Sequence, residues 1–210
     1  MKFIFVVLLF IALPLCLNAQ FISDYGIKVG VVSSKAADLS AKAYYTNFYR
    51  NTRLSGSFGI FAQFFNSEYF RIETGLGYKQ EGAEDKIPVT TAESPDGNGQ
   101  FIIIDHAYDF LSLNIALQPK YEDEDICLFA SISPALNYML KNRDQILLPG
   151  DLNKFVLGYT VGAGFQPKSI LNGKIFLEIS YGGSFSKYLK NEYIEAKFNT
   201  LQLSVGSFIN

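Results

Sequence analysis

The chain has 210 residues, and its 18 Lys and Arg against 20 Asp and Glu give a formal net charge of −2. This balance argues against nucleic acid as a partner, because binding to phosphate needs a clear excess of positive charge. The length suffices for one domain. The chain is rich in aromatic residues and glycine, with 13 Tyr, 19 Phe and 17 Gly.

The N-terminus has the features of an export signal. Lys2 precedes an apolar run from Phe3 to Leu17, and the small residue Ala19 follows. This order predicts a signal peptide over residues 1–19, cleaved after Ala19, and a single domain over residues 20–210. The apolar run is short for a membrane-spanning helix. Only Cys127 remains after cleavage, so we expect no internal disulfide.

Eight stretches then alternate apolar residues with small or polar ones. A period of two is the spacing of a β-strand, whereas a helix would mix the two sets. The third stretch is the clearest: Ile72 and Leu76 share one face, and Arg71 and Glu73 share the other. The eight predicted strands are Ser23–Ser33, Arg53–Phe65, Tyr69–Lys79, Ala107–Tyr121, Ile126–Leu140, Lys154–Gln166, Lys174–Ser186 and Thr200–Gly206.

The connections between these strands alternate in length. Short turns follow the second, fourth and sixth strands, and longer loops follow the first, third, fifth and seventh. The second of these loops is polar and covers roughly Gln80–His106, and its segment Phe101–Ile104 is a candidate extension of a strand beyond the sheet. In an even-stranded meander, all the turns lie at one end and all the loops at the other. This is the layout of outer-membrane barrels, which have short periplasmic turns and longer extracellular loops.

The face opposite the apolar one carries Gly, Ser, Thr, Gln and Asn with a few charges of both signs. A soluble barrel would need a solvent face rich in Lys and Glu, whereas a narrow lumen suits small residues and paired charges. We therefore predict an all-β, eight-stranded antiparallel up-and-down transmembrane barrel, whose lumen is filled by side chains. The residues predicted to form a structural polar cluster in this lumen are Lys28, Arg71, Glu73, Lys120 and Glu178.

Two alternatives share the same strand pattern. A secreted, lipocalin-like soluble barrel would turn the apolar face inward and bind an apolar ligand. A small-solute porin would keep the membrane register but leave the lumen open. Eight strands enclose an interior only just wide enough for side chains to fill, which favours the closed barrel.

Several segments resemble a known family, the PorT-like outer-membrane β-barrel proteins of Bacteroidota-type bacteria. The similarity covers residues 20–210 and implies the same barrel fold and location, with no assigned activity for most members and a link to protein secretion for one branch. The matching segments are the Asn18–Gln20 end of the signal, Gly26–Gly30, Phe70–Gly82, Phe110–Ile115 and Lys120–Tyr121.

No constellation of residues indicates an enzyme. His106 is the only histidine, and no nucleophile lies beside it in the sequence, so we expect a surface-loop histidine rather than a general base. The acidic turn Glu122–Asp125 lacks the spaced ligands of a calcium loop. We therefore expect no catalytic residue, metal or cofactor.

The expected partners follow from the predicted location. A monomeric barrel would contact outer-membrane lipid, and a cell-envelope or secretion-machinery protein is a candidate partner. Its function would be structural or interactive, namely membrane integrity, adhesion or an accessory role in secretion, through four outward loops. Amphipathic aromatic residues in the first loop form the candidate interaction surface: Tyr44, Tyr45, Phe48 and Tyr49.

Overall fold

A computed structural model of the chain describes residues 22–41, 51–89, 99–143, 151–170, 173–190 and 194–209. The predicted signal peptide, residues 1–19, lies outside these ranges. The described strands are β1 (Ile22–Ala41), β2 (Asn51–Phe64), β3 (Phe70–Pro88), β4 (Phe101–Glu122), β5 (Ile126–Asn142), β6 (Asp151–Leu152), β7 (Phe155–Pro167), β8 (Ile175–Ser184), β9 (Leu189–Lys190) and β10 (Ile194–Phe208).

The eight long strands form a closed antiparallel barrel. Each long strand pairs with the next long strand along the chain, and β10 pairs with β1 to close the ring. The two-residue strands β6 and β9 pair with each other. The prediction of an eight-stranded up-and-down barrel is therefore confirmed. We call the end with the connections 65–69, 123–125 and 168–174 the turn end, and the opposite end the loop end.

The barrel is strongly staggered. A row of paired residues that leaves β1 at Gly26 returns to β1 at Ala36, so the shear is 10 residues. Such a stagger tilts the strands and leaves an interior that side chains can fill. Between these two residues the row passes through Phe61, Gly75, Asn114, Ala135, Gly158, Ser184 and Phe198. Ser184 lies opposite Phe198 because the adjacent residues Gly183 and Asn199 are paired.

The apolar face of each strand points away from the lumen. Val29 is 50% exposed and Leu203 is 58% exposed, whereas Arg71 and Glu73 are buried. Exposure of this kind is costly in water but favourable against lipid tails. The lipocalin-like alternative, which needs the reverse orientation, is therefore excluded. Further outward residues are Ile27, Val31, Phe58, Ile60, Ile115, Leu117, Ile132, Leu157, Val161, Ile179 and Leu201.

The third and fourth strands extend far beyond the predicted limits. The ladder of β3 and β4 continues to the pair Pro88 and Phe101. The prediction of a polar loop was therefore wrong for residues 80–88 and 105–106, the candidate strand extension Phe101–Ile104 is part of β4, and residues 90–98 lie outside the described residues. Cross-strand backbone hydrogen bonds continue this hairpin even though its residues lack clear apolar alternation. The 22 residues of β4 span roughly 75 Å at about 3.4 Å per residue. At a tilt of about 45° they rise roughly 50 Å, well beyond a hydrocarbon core of about 30 Å.

A polar cluster on the outer surface marks where the lipid-facing belt ends. The carboxylate of Asp109 accepts hydrogen bonds from Tyr78, Gln80 and Arg143, at 2.6–2.9 Å. An outward carboxylate with these partners belongs at the interface rather than in hydrocarbon. The part of β3 and β4 beyond it therefore lies outside the membrane. No helix in the described residues is long and apolar enough to cross a bilayer.

Candidate functional site

The centre of the lumen holds a buried ion cluster of three residues. Nζ of Lys28 lies 3.0 Å from Oε1 of Glu73 and 2.7 Å from Oε2 of Glu178. Both carboxylate side chains are less than a tenth exposed. Gln63 donates to the second oxygen of Glu73, and Ser131 donates to the second oxygen of Glu178. The two acids are thus held by one shared cation and by neutral donors, as burial of charge requires.

The other two predicted cluster residues lie nearer the turn end. Nε of Arg71 donates to Oε1 of Gln118 at 2.7 Å, and Nη1 donates to Oε1 of Gln166 at 3.3 Å. Lys120 instead bonds Asn66 and Glu122 at the rim. The five predicted residues therefore form two groups, the central ion cluster and a turn-end group, rather than one network.

Aromatic rings fill the lumen between these two groups. Phe61, Phe129, Phe176 and Phe208 form one buried cluster, and Phe176 contacts each of the other three rings at centroid distances of 5.4–5.9 Å. Nζ of Lys28 lies 5.3 Å from the centroid of Phe176, and the guanidinium of Arg71 lies 4.6 Å from that of Phe129. The cations add cation–π attraction to this packing.

Each of three lumen rings packs against a glycine on the neighbouring strand. Phe61 is paired with Gly26, Phe129 with Gly164, and Phe176 with Gly206. A Cβ added at Gly206 or at Gly164 would lie 2.0 or 2.1 Å from Cζ of the facing ring. These strand glycines thus leave the space that the rings occupy.

A second apolar cluster closes the lumen towards the loop end. Its members pack across the interior from β3, β4, β5, β7, β10 and the segment before β9. Tyr188 donates its hydroxyl to Oε2 of Glu81 at 2.5 Å, which joins opposite walls of the barrel. We call this group the loop-end core; it comprises Ala83, Tyr108, Phe110, Met139, Val156, Tyr188 and Phe198.

Side chains also repair a gap in the barrel wall beside this core. The register of β2 and β3 shifts between Thr52 and Ser57. Oγ of Ser34, from β1, lies 2.9 Å from both the N and the O of Gly82 on β3, so it accepts from one and donates to the other. Ser34 thus replaces the ladder bonds that β2 does not supply there.

His106 is not the surface-loop histidine that we expected. It lies on β4 with 0% exposure, and its Nε2 is 2.9 Å from Oδ2 of Asp85 on β3. The ladder carries both residues inward beside the loop-end core, so this expectation was wrong. The described residues contain no group of three His, Cys, Asp or Glu that could hold a metal.

Sequence reasoning missed several residues that matter in the lumen. The amides of Gln63, Gln118 and Gln166 occur on the predicted polar faces, but strand periodicity does not say which charge each one contacts. The lumen phenylalanines also lie on the polar faces, opposite glycines, and this feature of the sequence indicates that their rings point into the lumen. The four aromatic residues of the candidate interaction surface, Tyr44, Tyr45, Phe48 and Tyr49, lie outside the described residues.

Comparison with known proteins agrees with this architecture. The family model for the outer membrane protein β-barrel domain matches residues 18–190. The chain belongs to this family. It is therefore an outer-membrane protein, as predicted. No curated protein sequence matches the chain.

The similar solved structures are distant in sequence. OprG from Pseudomonas aeruginosa is similar with a TM-score of 0.51 at 8% identity, over 90% of this chain and 97% of OprG. The Neisserial surface protein NspA gives a TM-score of 0.47 at 10% identity, over 87% of this chain and 96% of NspA. Ail of Yersinia pestis gives 0.42 at 12% identity, over 89% of this chain and 98% of Ail.

Proposed function

We propose that the protein is a non-conducting, non-enzymatic barrel that acts as a structural and interaction element of the outer membrane. The observation that carries this proposal is the filled lumen. The phenylalanine cluster, the ion cluster of Lys28 and the loop-end core follow one another along the interior. A solute would have to displace both apolar packing and paired charges to pass.

Recordings across planar bilayers test the closed lumen. The purified, folded barrel should give no stable, large conductance steps, and such steps would overturn the proposal in favour of the porin alternative. Replacing both Phe61 and Phe176 with alanine removes rings that meet across the lumen. This variant should conduct more than the wild type, provided that it still migrates as a folded barrel on unboiled gels.

We further propose that the loop end faces outward and provides the interaction surface. Short periplasmic turns and longer outer loops are the usual arrangement in bacterial barrels, and the β3–β4 hairpin extends beyond the lipid-facing belt. Near its tip this hairpin exposes Ile87, Phe101, Ile102 and Ile103. The proposed surface also includes Tyr44, Tyr45, Phe48 and Tyr49 of the first loop.

Epitope insertion tests the orientation. A tag placed in residues 90–98 should be labelled by antibody on intact cells, and the same tag in residues 123–125 should be labelled only after the outer membrane is permeabilised. The opposite result would reverse the orientation.

The choice among membrane integrity, adhesion and secretion depends on the resemblance to PorT-like proteins, which favours an accessory role in secretion. We propose this role for the chain, with a cell-envelope or secretion-machinery protein as partner. Loss of the protein should then reduce the amount of secreted proteins without increasing detergent sensitivity. Increased detergent sensitivity with normal secretion would favour membrane integrity instead.

A further inference from the structure

The β3–β4 hairpin presents an unpaired strand edge beyond the lipid-facing belt. Residues 101–104 of β4 pair with residues 85–88 of β3 on one side. On their other side no strand of the described part of the chain pairs with them, and the ladder of β4 with β5 ends at the pair Tyr108 and Asn142. Such an edge offers a row of backbone N–H and C=O groups to an extended chain that approaches it.

The two edges of this hairpin differ in composition. On the β3 edge, Lys86 is exposed and Pro88 has no N–H group, and charge and proline are features that hinder the addition of a strand. The β4 edge at residues 101–104 consists of one phenylalanine and three isoleucines, with neither charge nor proline. Its ladder with β3 contains no register shift. The β3 edge is therefore protected, whereas the β4 edge is open to pairing with a further strand.

The side chains of this edge are exposed on both faces of β4. Phe101, Ile102 and Ile103 are 60%, 57% and 56% exposed, and successive side chains of a strand point to opposite faces. Exposure of a contiguous apolar group to water is costly and marks a surface that another molecule covers.

Lipid does not cover these side chains. Asp109 marks the end of the lipid-facing belt, and Ile103 precedes it by six residues on β4, which is roughly 20 Å at about 3.4 Å per residue. At a tilt of about 45° this separation is a rise of about 14 Å, more than the thickness of a headgroup region of about 5–8 Å. The edge therefore lies in the aqueous phase.

A second copy of the chain in the same membrane does not supply the missing strand. Two such copies are related by a two-fold axis along the membrane normal, and this axis leaves the vertical component of each β4 strand unchanged. Antiparallel strands need opposite vertical components. Two β4 strands tilted by about 45° would instead cross at roughly 90°, so the occupant belongs to a different polypeptide.

We propose that residues 101–104 bind an extended, uncharged segment of a partner protein, which adds to β4 as a further strand. Main-chain hydrogen bonds supply the affinity, and β-branched or aromatic side chains of the segment pack beside Phe101, Ile102 and Ile103. The inference deepens the interaction surface of the loop end, and it rests on the proposed function for the location of the partner. The partner is recognised by its extended backbone and apolar side chains rather than by charge.

Titration of the folded barrel into a fluorescent peptide of valine and threonine, with terminal lysines for solubility, tests the edge. The fluorescence anisotropy of the peptide should rise to saturation. The same peptide with every amide N-methylated keeps its side chains but donates no main-chain hydrogen bond, so it should not bind. Ile103→Lys should weaken binding by about fivefold, or about 1 kcal/mol, because it removes a cross-strand apolar contact and adds a charge to the edge. Ile87→Lys is the matched control, because Ile87 is 40% exposed on the same hairpin but lies on β3, away from the added strand, and this change should leave the affinity unchanged.

Ile102→Lys replaces Ile103→Lys in this test if the latter does not migrate as a folded barrel on unboiled gels. No saturable anisotropy with the wild type, equal binding of the N-methylated peptide, or equal losses in Ile103→Lys and Ile87→Lys would overturn the proposal. A wild-type dimer in lipid bilayers that Ile103→Lys converts to a monomer would also overturn it, in favour of a second copy. Failure of the proposed function would instead appear as conductance in bilayer recordings or as reversed labelling of the epitope tags, which these titrations do not measure.

Discussion

Replacing Lys28 with methionine should strongly destabilise the barrel, because it removes the cation that Glu73 and Glu178 share. The two carboxylates would then be buried with only Gln63 and Ser131 as donors. Breaking a buried ion pair by removal of one partner costs about 3–5 kcal/mol. Methionine keeps most of the volume of the lysine stem, so a cavity contributes little to this loss.

Protonation of the glutamates gives an independent estimate of the same magnitude. A glutamate with an ordinary pKa of about 4.3 costs roughly 3.7 kcal/mol to protonate at pH 7. If the variant folds with one proton shared between Glu73 and Glu178, its free energy of unfolding falls by about the cost of that protonation. At pH 4 the same protonation costs well below about 1 kcal/mol, so the difference between variant and wild type should shrink as the pH falls.

Guanidinium unfolding in lipid vesicles, followed by the folded fraction on unboiled gels, measures the difference at pH 7 and pH 4. Lys154→Met is the control, because Lys154 is exposed and forms no ion pair with the described residues. The triple variant Lys28→Met, Glu73→Gln, Glu178→Gln should recover most of the lost stability, since it leaves no buried charge. A loss below about 1 kcal/mol at pH 7, or a loss independent of pH, would refute the shared-cation account.

Three further predictions use the same unfolding measurement. Gly164→Ala should cost about 1–3 kcal/mol through overpacking, because the new Cβ would lie 2.1 Å from Cζ of Phe129. Ser34→Ala should cost about 1–3 kcal/mol, because it removes the side-chain partner of the N–H and C=O of Gly82 and leaves buried groups unsatisfied. Lys120 and Lys168 hold the pKa of Glu122 at about 2, below the ordinary 4.5. Since the folded pKa is the lower one, Glu122 should stabilise the barrel fully above pH 4.5 and lose this effect as the pH falls towards 2. Glu122→Gln should therefore be less stable than wild type at pH 6, with a smaller difference at pH 3.

Each of these predictions has a control. Gly56→Ala should be nearly neutral, because the nearest atom to its added Cβ is 4.0 Å away; equal losses at Gly56 and Gly164 would contradict the ring contact. Ser34→Thr keeps the hydroxyl and should retain part of the stability that Ser34→Ala loses. Glu124→Gln changes a charge of the same turn that forms no ion pair with Lys120 or Lys168, so at pH 6 it should cost less stability than Glu122→Gln does.

The sequence alone determined the barrel. Period-two alternation requires only local strand geometry, and the alternation of turn and loop lengths determines which strands are neighbours. The small and sparsely charged residues of the non-apolar face, together with the loop lengths, predicted that the face carrying Arg71 and Glu73 points inward. Alternation did not indicate the strand continuations at residues 80–88 and 105–106, because these form through backbone pairing, which carries no side-chain signature.

Only the tertiary structure decided which inward residues meet. The stagger of 10 residues around the ring brings Lys28 to Glu73 and Glu178, which lie 45 and 150 positions away in the chain. The same stagger gives Arg71 and Glu73 different partners, although they lie two residues apart on one strand. Their partners depend on the register of every intervening strand pair, and a strand's own sequence pattern specifies its faces but not that register.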